Sequence, residues 1–252
     1  MKKDIVDREF IIPKFEWNDI FSPVLIERKS IYDFLVKTVI RMYGKDIKKE
    51  KIMDFGCGQA PYYCLFRAKN YIGVDVKQSG HNNAEKHADV YYNDTVPFSD
   101  ETFRYVIATQ CLEHIADIDE ILKEISRVMC KGGKLIITVP MLWIDHEMPY
   151  DYYRFTEQGI RYKLEKNGFR IIYIRKLNGA DDAAAQLKML LIDRNNKNVI
   201  YKKMCIAYEN IKYIYRYKKK IKQDNSVSTC IGIIVEKKES LINEMDKSGA
   251  SV

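Results

Sequence analysis

Ile52-Met53-Asp54-Phe55-Gly56-Cys57-Gly58-Gln59-Ala60-Pro61 is the stretch on which the fold turns. Four residues of strand character run into a turn that holds two glycines. Glycine tolerates left-handed backbone angles and lets a ligand approach the main chain closely. The pattern is not the full dinucleotide fingerprint G-x-G-x-x-G, because Pro61 stands where the third glycine would be. A bound pyrophosphate is therefore disfavoured. Asp75 follows Asp54 by twenty-one residues, at the end of a second strand segment, Tyr71-Ile72-Gly73-Val74-Asp75-Val76. A carboxylate there can accept both hydroxyls of a ribose.

Outward from this core the pattern alternates. Strands are expected at 88–92, 105–109, 134–139, 169–174 and 230–235. An amphipathic helix is expected over 117–130, with Ile118, Ile121, Leu122, Ile125 and Val128 on one face. Lys131-Gly132-Gly133 reads as its stop. Thr156 reads as the cap of a helix that reaches Asn167, with Gly168 ending it. Before the first strand, Ile31, Phe34, Leu35, Thr38, Val39 and Met42 recur at helical spacing, and Gly44 with the charged run 45–51 ends that helix. Seven strands alternating with helices predict an α/β, Rossmann-like sheet, mostly parallel and covered on both faces, with the last strand antiparallel. The expectation is a single domain over 1–252, with a helical lead-in at 1–50. A helical insertion at 180–228 has pieces at 183–192 and 201–221. An insertion of that size is expected to form a substrate lid or an oligomer contact.

Composition narrows the function classes. The chain has 252 residues, 46% hydrophobic and 31% charged, as in ordinary globular proteins. No run of about 18 uncharged apolar residues predicts a spanning helix, and 1–4 lack the apolar segment of a secretion signal. Six cysteines lie scattered at 57, 64, 111, 130, 205 and 230 without a close CxxC pair. Reduced thiols and a cytoplasmic location are expected, with no metal site. The net charge of +7 is carried largely by late lysines. No nucleic-acid module accompanies it, so nucleic acid is not an expected partner. A peripheral membrane contact stays open, and the assembly is expected to be a monomer or homodimer.

Residues 51–175 resemble the UbiE-type (methyltransferase type 11) branch of the class I methyltransferases. The resemblance rests on DFGCGQAPY at 54–62, YIGVDV at 71–76, VPFSDETF at 96–103, TQCLEHI at 109–115 and EISRVMCKGGKLIITVP at 124–140. It implies S-adenosyl-L-methionine as cofactor. Carried over by position, Gly56 and Gly58 would pass the methionine part, and Asp54 would orient the turn and the cofactor's amino group. Asp75, with Val76, would bind the ribose. Asn93 or Asp94 would sit by the adenine, and Gln110 would line the methionine end. Arg104 departs from the Asp usual at that position; little functional consequence is expected at a strand start.

The acceptor side is expected at Glu113-His114 and at the loop 143–156, which resembles the "H…P.DYYR[FY]T" stretch of a subset of these enzymes. That subset is common in surface-polysaccharide and small-metabolite biosynthesis. His146 or His114 could serve as a base for a neutral alcohol. Arg154, His146 and the hydroxyl of Tyr152 could instead meet an anionic acceptor, or Arg154 could pair with Asp151 to brace the loop. The reading is an O-methyltransferase acting on a small anionic or sugar-linked precursor of a capsule, a phosphoramidate among the options. A quinone-precursor methyltransferase, an N-methyltransferase and a non-catalytic cofactor-binding scaffold are the rivals.

Overall fold

The structure, a computed structural model, describes residues 19–47, 49–66, 70–77, 88–93 and 95–238. Seven strands form one sheet: β1 (Ile52–Phe55), β2 (Tyr71–Val76), β3 (Val90–Tyr92), β4 (Phe103–Thr109), β5 (Met129–Pro140), β6 (Phe169–Lys176) and β7 (Cys230–Lys237). Their spatial order is β3-β2-β1-β4-β5-β7-β6. β7 runs antiparallel to both neighbours, and the other pairs are parallel. All four residues of β1 are buried, as a strand covered on both faces requires.

Period-two alternation sorts the strand residues to the two faces. Met53, Phe55, Leu135, Ile137, Val139, Ile231 and Ile233 join one core with α3 (Ile118–Val128) and α4 (Glu157–Lys166). Ile52, Ile136, Cys230 and Ile234 join another with α1 (Leu25–Phe34) and the π-helical segment Leu35–Ile40. Asp117 caps α3 by accepting from the Glu120 N–H, and Thr156 caps α4 by accepting from the Gly159 N–H. Gly168 follows α4 at φ +84°.

Several boundaries differ from expectation. The N-terminal helix does not stop at Gly44; α2 (Arg41–Ile47) carries it on, because buried Ile47 still packs against the sheet. α3 ends at Val128, two residues early, and Met129 is already extended. Lys131-Gly132-Gly133 is not a helix stop but an irregularity inside β5. Between the pairs Phe103–Met129 and Tyr105–Lys134, β5 carries three more residues than β4, and Gly132 turns the chain at φ +65°. Arg104 sits in β4 and donates to the Lys131 carbonyl at this irregularity.

The insertion forms α5 (Ala180–Asn195) and α6 (Val199–Lys219). Ala185, Met189, Ile206 and Tyr213 pack with Ile26 of α1 in a third apolar cluster. Arg216 of α6 and Gln223 both donate to Asp182 of α5. Among the described residues no helix is long and apolar enough to cross a membrane, and all six cysteines are free.

Candidate active site

The strand order reverses between β1 and β4, and ligands in such sheets bind beyond the carboxyl ends of the strands at that point. A cleft of about 470 Å³ opens there. Gly56, Gly58, Asp75, Val76, Asn93 and Gln110 line one part of it, and His114, Glu147, Tyr150 and Tyr152 line another. The first turn of α3 closes a side with Asp117, Glu120 and Ile121. No pattern in the sequence sets this wall apart, since Ile121 lies on the apolar face of α3. Asp94 lies outside the described residues. The insertion, expected to form a substrate lid or an oligomer contact, contributes no lining residue to this cleft among those described.

The two turn glycines do different work. Gly56 sits at φ +65°, and a Cβ there would lie 2.5 Å from Cys111 Cβ and 2.9 Å from Cys111 Sγ. Gly58 sits at φ +50°, but a Cβ there would meet nothing within 4 Å. Gly56 is a packing requirement; Gly58 faces open space in the cleft. Gly56→Ala is thus expected to destabilise the fold by about 3 kcal/mol, through overpacking and backbone strain together. Gly58→Ala should lower stability by only about 1 kcal/mol while weakening cofactor binding at least tenfold. Thermal melts beside binding titrations separate the two, and equal losses of stability would contradict this division.

Asp75 is buried and anchors the turn. Its Oδ2 accepts from the Gly58 N–H at 2.8 Å and its Oδ1 from the Val76 N–H at 2.7 Å. Gln110, at the end of β4, holds a left-handed φ of 49°. Its Nε2 donates to Thr138 Oγ1 at 3.1 Å, and its N–H to the Thr138 carbonyl. A non-glycine residue held there against its preference marks a position the site over-determines.

Asp54 is placed behind the turn, not in the cleft. It is buried and accepts from the Tyr71 hydroxyl through Oδ2, while Oδ1 has no hydrogen-bond partner. Burial raises its carboxyl to about 7; the Tyr71 bond opposes this and the Asp75 charge adds to it. A folded-state value above the unfolded one, about 3.9, means the stabilisation is full below pH 3.9 and lost as pH rises through about 7. Asp54→Asn keeps an acceptor for Tyr71 and removes the titration. The variant should gain on the parent between pH 5 and pH 8, by on the order of 2 kcal/mol. An unchanged difference in melting temperature across that range would contradict the assignment.

On the acceptor side, Arg154 does not line the cleft. All five of its N–H donors are spent: on both Asp151 oxygens at 2.7 and 2.8 Å and on the carbonyls of Trp143, Ile144 and Tyr153. It is the brace of the loop. Its hydrogen bonds hold the Asp151 carboxyl well below the usual carboxylate range. His146 also stands behind the cleft wall. Its ring packs edge-on against His114, with centroids 4.8 Å apart, and its backbone N–H donates to Asp151 Oδ2. Burial first, then the His114 ring, lowers its pKa. His114 Nδ1 lies 2.9 Å from the Tyr150 carbonyl. A carbonyl only accepts, so Nδ1 carries a hydrogen, and in the neutral ring Nε2 holds the lone pair. Nε2 faces Glu147 Oε1 at 3.6 Å and Glu113 Oε1 at 3.9 Å. Glu113 is fully buried, its two oxygens have no hydrogen-bond partner, and burial raises its carboxyl to about 8.

A mostly parallel sheet with this strand order, one antiparallel strand at β7 and a cleft over a G-x-G turn make up the Rossmann-like methyltransferase fold. A family model described as a methyltransferase domain matches residues 28–174, and the chain belongs to that family. The chain is 28% identical over 151 residues to an uncharacterized protein of Methanocaldococcus jannaschii. The match covers 56% of the chain and 65% of that relative's length. Two solved structures share the fold. The [4+2]-cyclase SpnF superposes with a TM-score of 0.52 at 15% identity, over 82% of each chain. An S-adenosylmethionine-dependent methyltransferase of Mesorhizobium loti superposes with a TM-score of 0.50 at 10% identity, over 84% of this chain and 99% of the other.

The cleft fits S-adenosylmethionine. Open space at Gly58 admits a ligand against the backbone, Asp75 supplies a carboxylate, and Phe55, Ile115 and Ile121 offer apolar surface for a base. The acidic Asp117 and Glu120 in the lining suit a cofactor with a cationic sulfonium.

Proposed function

We propose that the protein methylates a hydroxyl oxygen of a small sugar-linked acceptor, of the kind built into surface polysaccharides. One observation carries this: His114, Glu147, Tyr150 and Tyr152 share a single cleft with Gly56, Gly58 and Asp75. Asp75 holds the ribose, the Gly56–Gly58 backbone passes the methionine part, and Asn93 sits toward the adenine. The cofactor supplies an electrophilic methyl group whose bonding pair stays with sulfur as the new oxygen–carbon bond forms. The chain must then orient the acceptor and take the hydroxyl proton, and Glu147, beside His114, is placed to take it.

An anionic acceptor, the phosphoramidate included, would want a cation at this end of the cleft. Arg154 has no donor left for one. A neutral hydroxyl suits the acidic and tyrosine-rich lining better. The resemblance of 146–156 to a stretch common in enzymes of surface-polysaccharide and small-metabolite biosynthesis supports the sugar-linked class. The test is transfer of labelled methyl from S-adenosylmethionine to a panel of sugar nucleotides, phosphorylated sugars and quinone precursors. Transfer to sugar hydroxyls is expected. Cofactor binding with no transfer to any oxygen acceptor would favour a scaffold, and transfer to nitrogen or to a quinone precursor would replace the reading.

A further inference from the structure

Glu113, His114 and His146 bring one ligand atom each to within 4.8 Å of one another; His114 lines the acceptor end of the cleft, and the other two stand behind its wall. Two imidazoles and a carboxylate are the ligand set of many open divalent-metal sites. We propose that these three residues bind a divalent first-row transition ion, and that this ion holds the acceptor oxygen. The inference rests on the methyl-transfer reading for the ion's purpose, not for its binding.

The first argument is Glu113. A fully buried carboxylate with both oxygens unpartnered is costly, since such groups are normally paired or bound to a cation. Its own backbone N–H and the Arg154 charge offset this only in part, and a cation between it and the two rings would do so directly. The second is His114. Its Nδ1–H donates to the Tyr150 carbonyl, which fixes the ring and turns the Nε2 lone pair toward Glu113. An outer hydrogen bond of this kind is the usual support of a metal-binding histidine. The third is His146, held by its backbone N–H on Asp151 and by the Arg154 brace. The loop that Arg154 organises thus presents the third ligand. Donors about 2.1 Å from a common ion lie at most about 4.2 Å apart. The three atoms lie within 4.8 Å of one another, so the ion would draw them inward on binding.

Such an ion would sit beside the acceptor hydroxyl. It would fix the acceptor hydroxyl and lower its pKa, leaving Glu147 to take the proton. The histidines are then ligands, not bases.

Cobalt(II) is the probe, because its visible spectrum reports the ligand set. The full chain, stripped with chelator, is titrated with cobalt(II), and S-adenosylmethionine binding is measured calorimetrically on the same sample. Saturation at one ion per chain is expected, without the charge-transfer band of a thiolate ligand. Glu113→Gln should weaken cobalt binding at least tenfold, keep S-adenosylmethionine binding, and melt no lower than the metal-free parent. His146→Asn serves if Glu113→Gln does not fold. No saturable cobalt binding, a thiolate band, or binding indifferent to these variants overturns the site. A chain that binds cobalt but not S-adenosylmethionine keeps the metal site and overturns the methyl-transfer reading instead.

Discussion

Asp75→Ala is expected to weaken S-adenosylmethionine binding by at least about 100-fold, or roughly 3 kcal/mol. Two effects combine. The ribose loses a carboxylate, and hydrogen bonds to a charged acceptor contribute about 1.5–3 kcal/mol each. The turn also loses its tether, because the Gly58 N–H now bonds to Asp75 Oδ2 at 2.8 Å. The fold should survive, since Gly58 borders the open cleft and its freed N–H can be solvated. Isothermal calorimetry on parent and variant, with a melt of each, reads both numbers. A variant that binds within threefold of the parent would remove Asp75 from the cofactor site.

Asp151→Ala is expected to lower stability by about 2–3 kcal/mol, a fall in melting temperature of roughly 5–10 °C for a chain of this size. Asp151 is almost fully buried, with 2% of its side chain exposed, and answers two of the five Arg154 donors. Removing it leaves a guanidinium without its counter-charge, and breaking a buried pair from one side is the destabilising case. It also frees the His146 backbone N–H. Scanning calorimetry decides between the two roles open to Arg154. Were Arg154 an acceptor-binding residue held loosely by Asp151, the melt would hardly move and only acceptor affinity would fall. A stability loss with unchanged cofactor affinity supports the brace.

These expectations show which parts of the molecule short sequence patterns carry. The β1 turn was legible because its requirements are local. Two glycines at positive φ and a carboxylate at the end of β2 are all read within 54–75. The sheet was legible because a strand buried on both faces needs the continuous apolar runs of β1, β4 and β5. The first turn of α3 was not, because Asp117 and Glu120 look like any solvated helix start until β4 carries them to the cleft edge. The irregularity in β5 was hidden because Lys131-Gly132-Gly133 reads equally as a helix stop. The meeting of Glu113 and His114 with His146 depends on β5 returning the chain to the same sheet edge. No ligand spacing along the chain reports it. Arg154 is the clearest case: its sequence allowed either an anion site or an ion pair, and counting its five donors against five acceptors decides for the brace.

The claim that this cleft is a methyl-donor site meets its most direct test in a crystal structure with S-adenosylhomocysteine. The ribose hydroxyls should lie on the Asp75 carboxylate and the homocysteine part along Gly56 and Gly58. The sulfur should face the end formed by His114, Glu147 and Tyr152. A ligand bound elsewhere, or one in the cleft with its sulfur turned away from His114 and toward Asn93, would contradict the account.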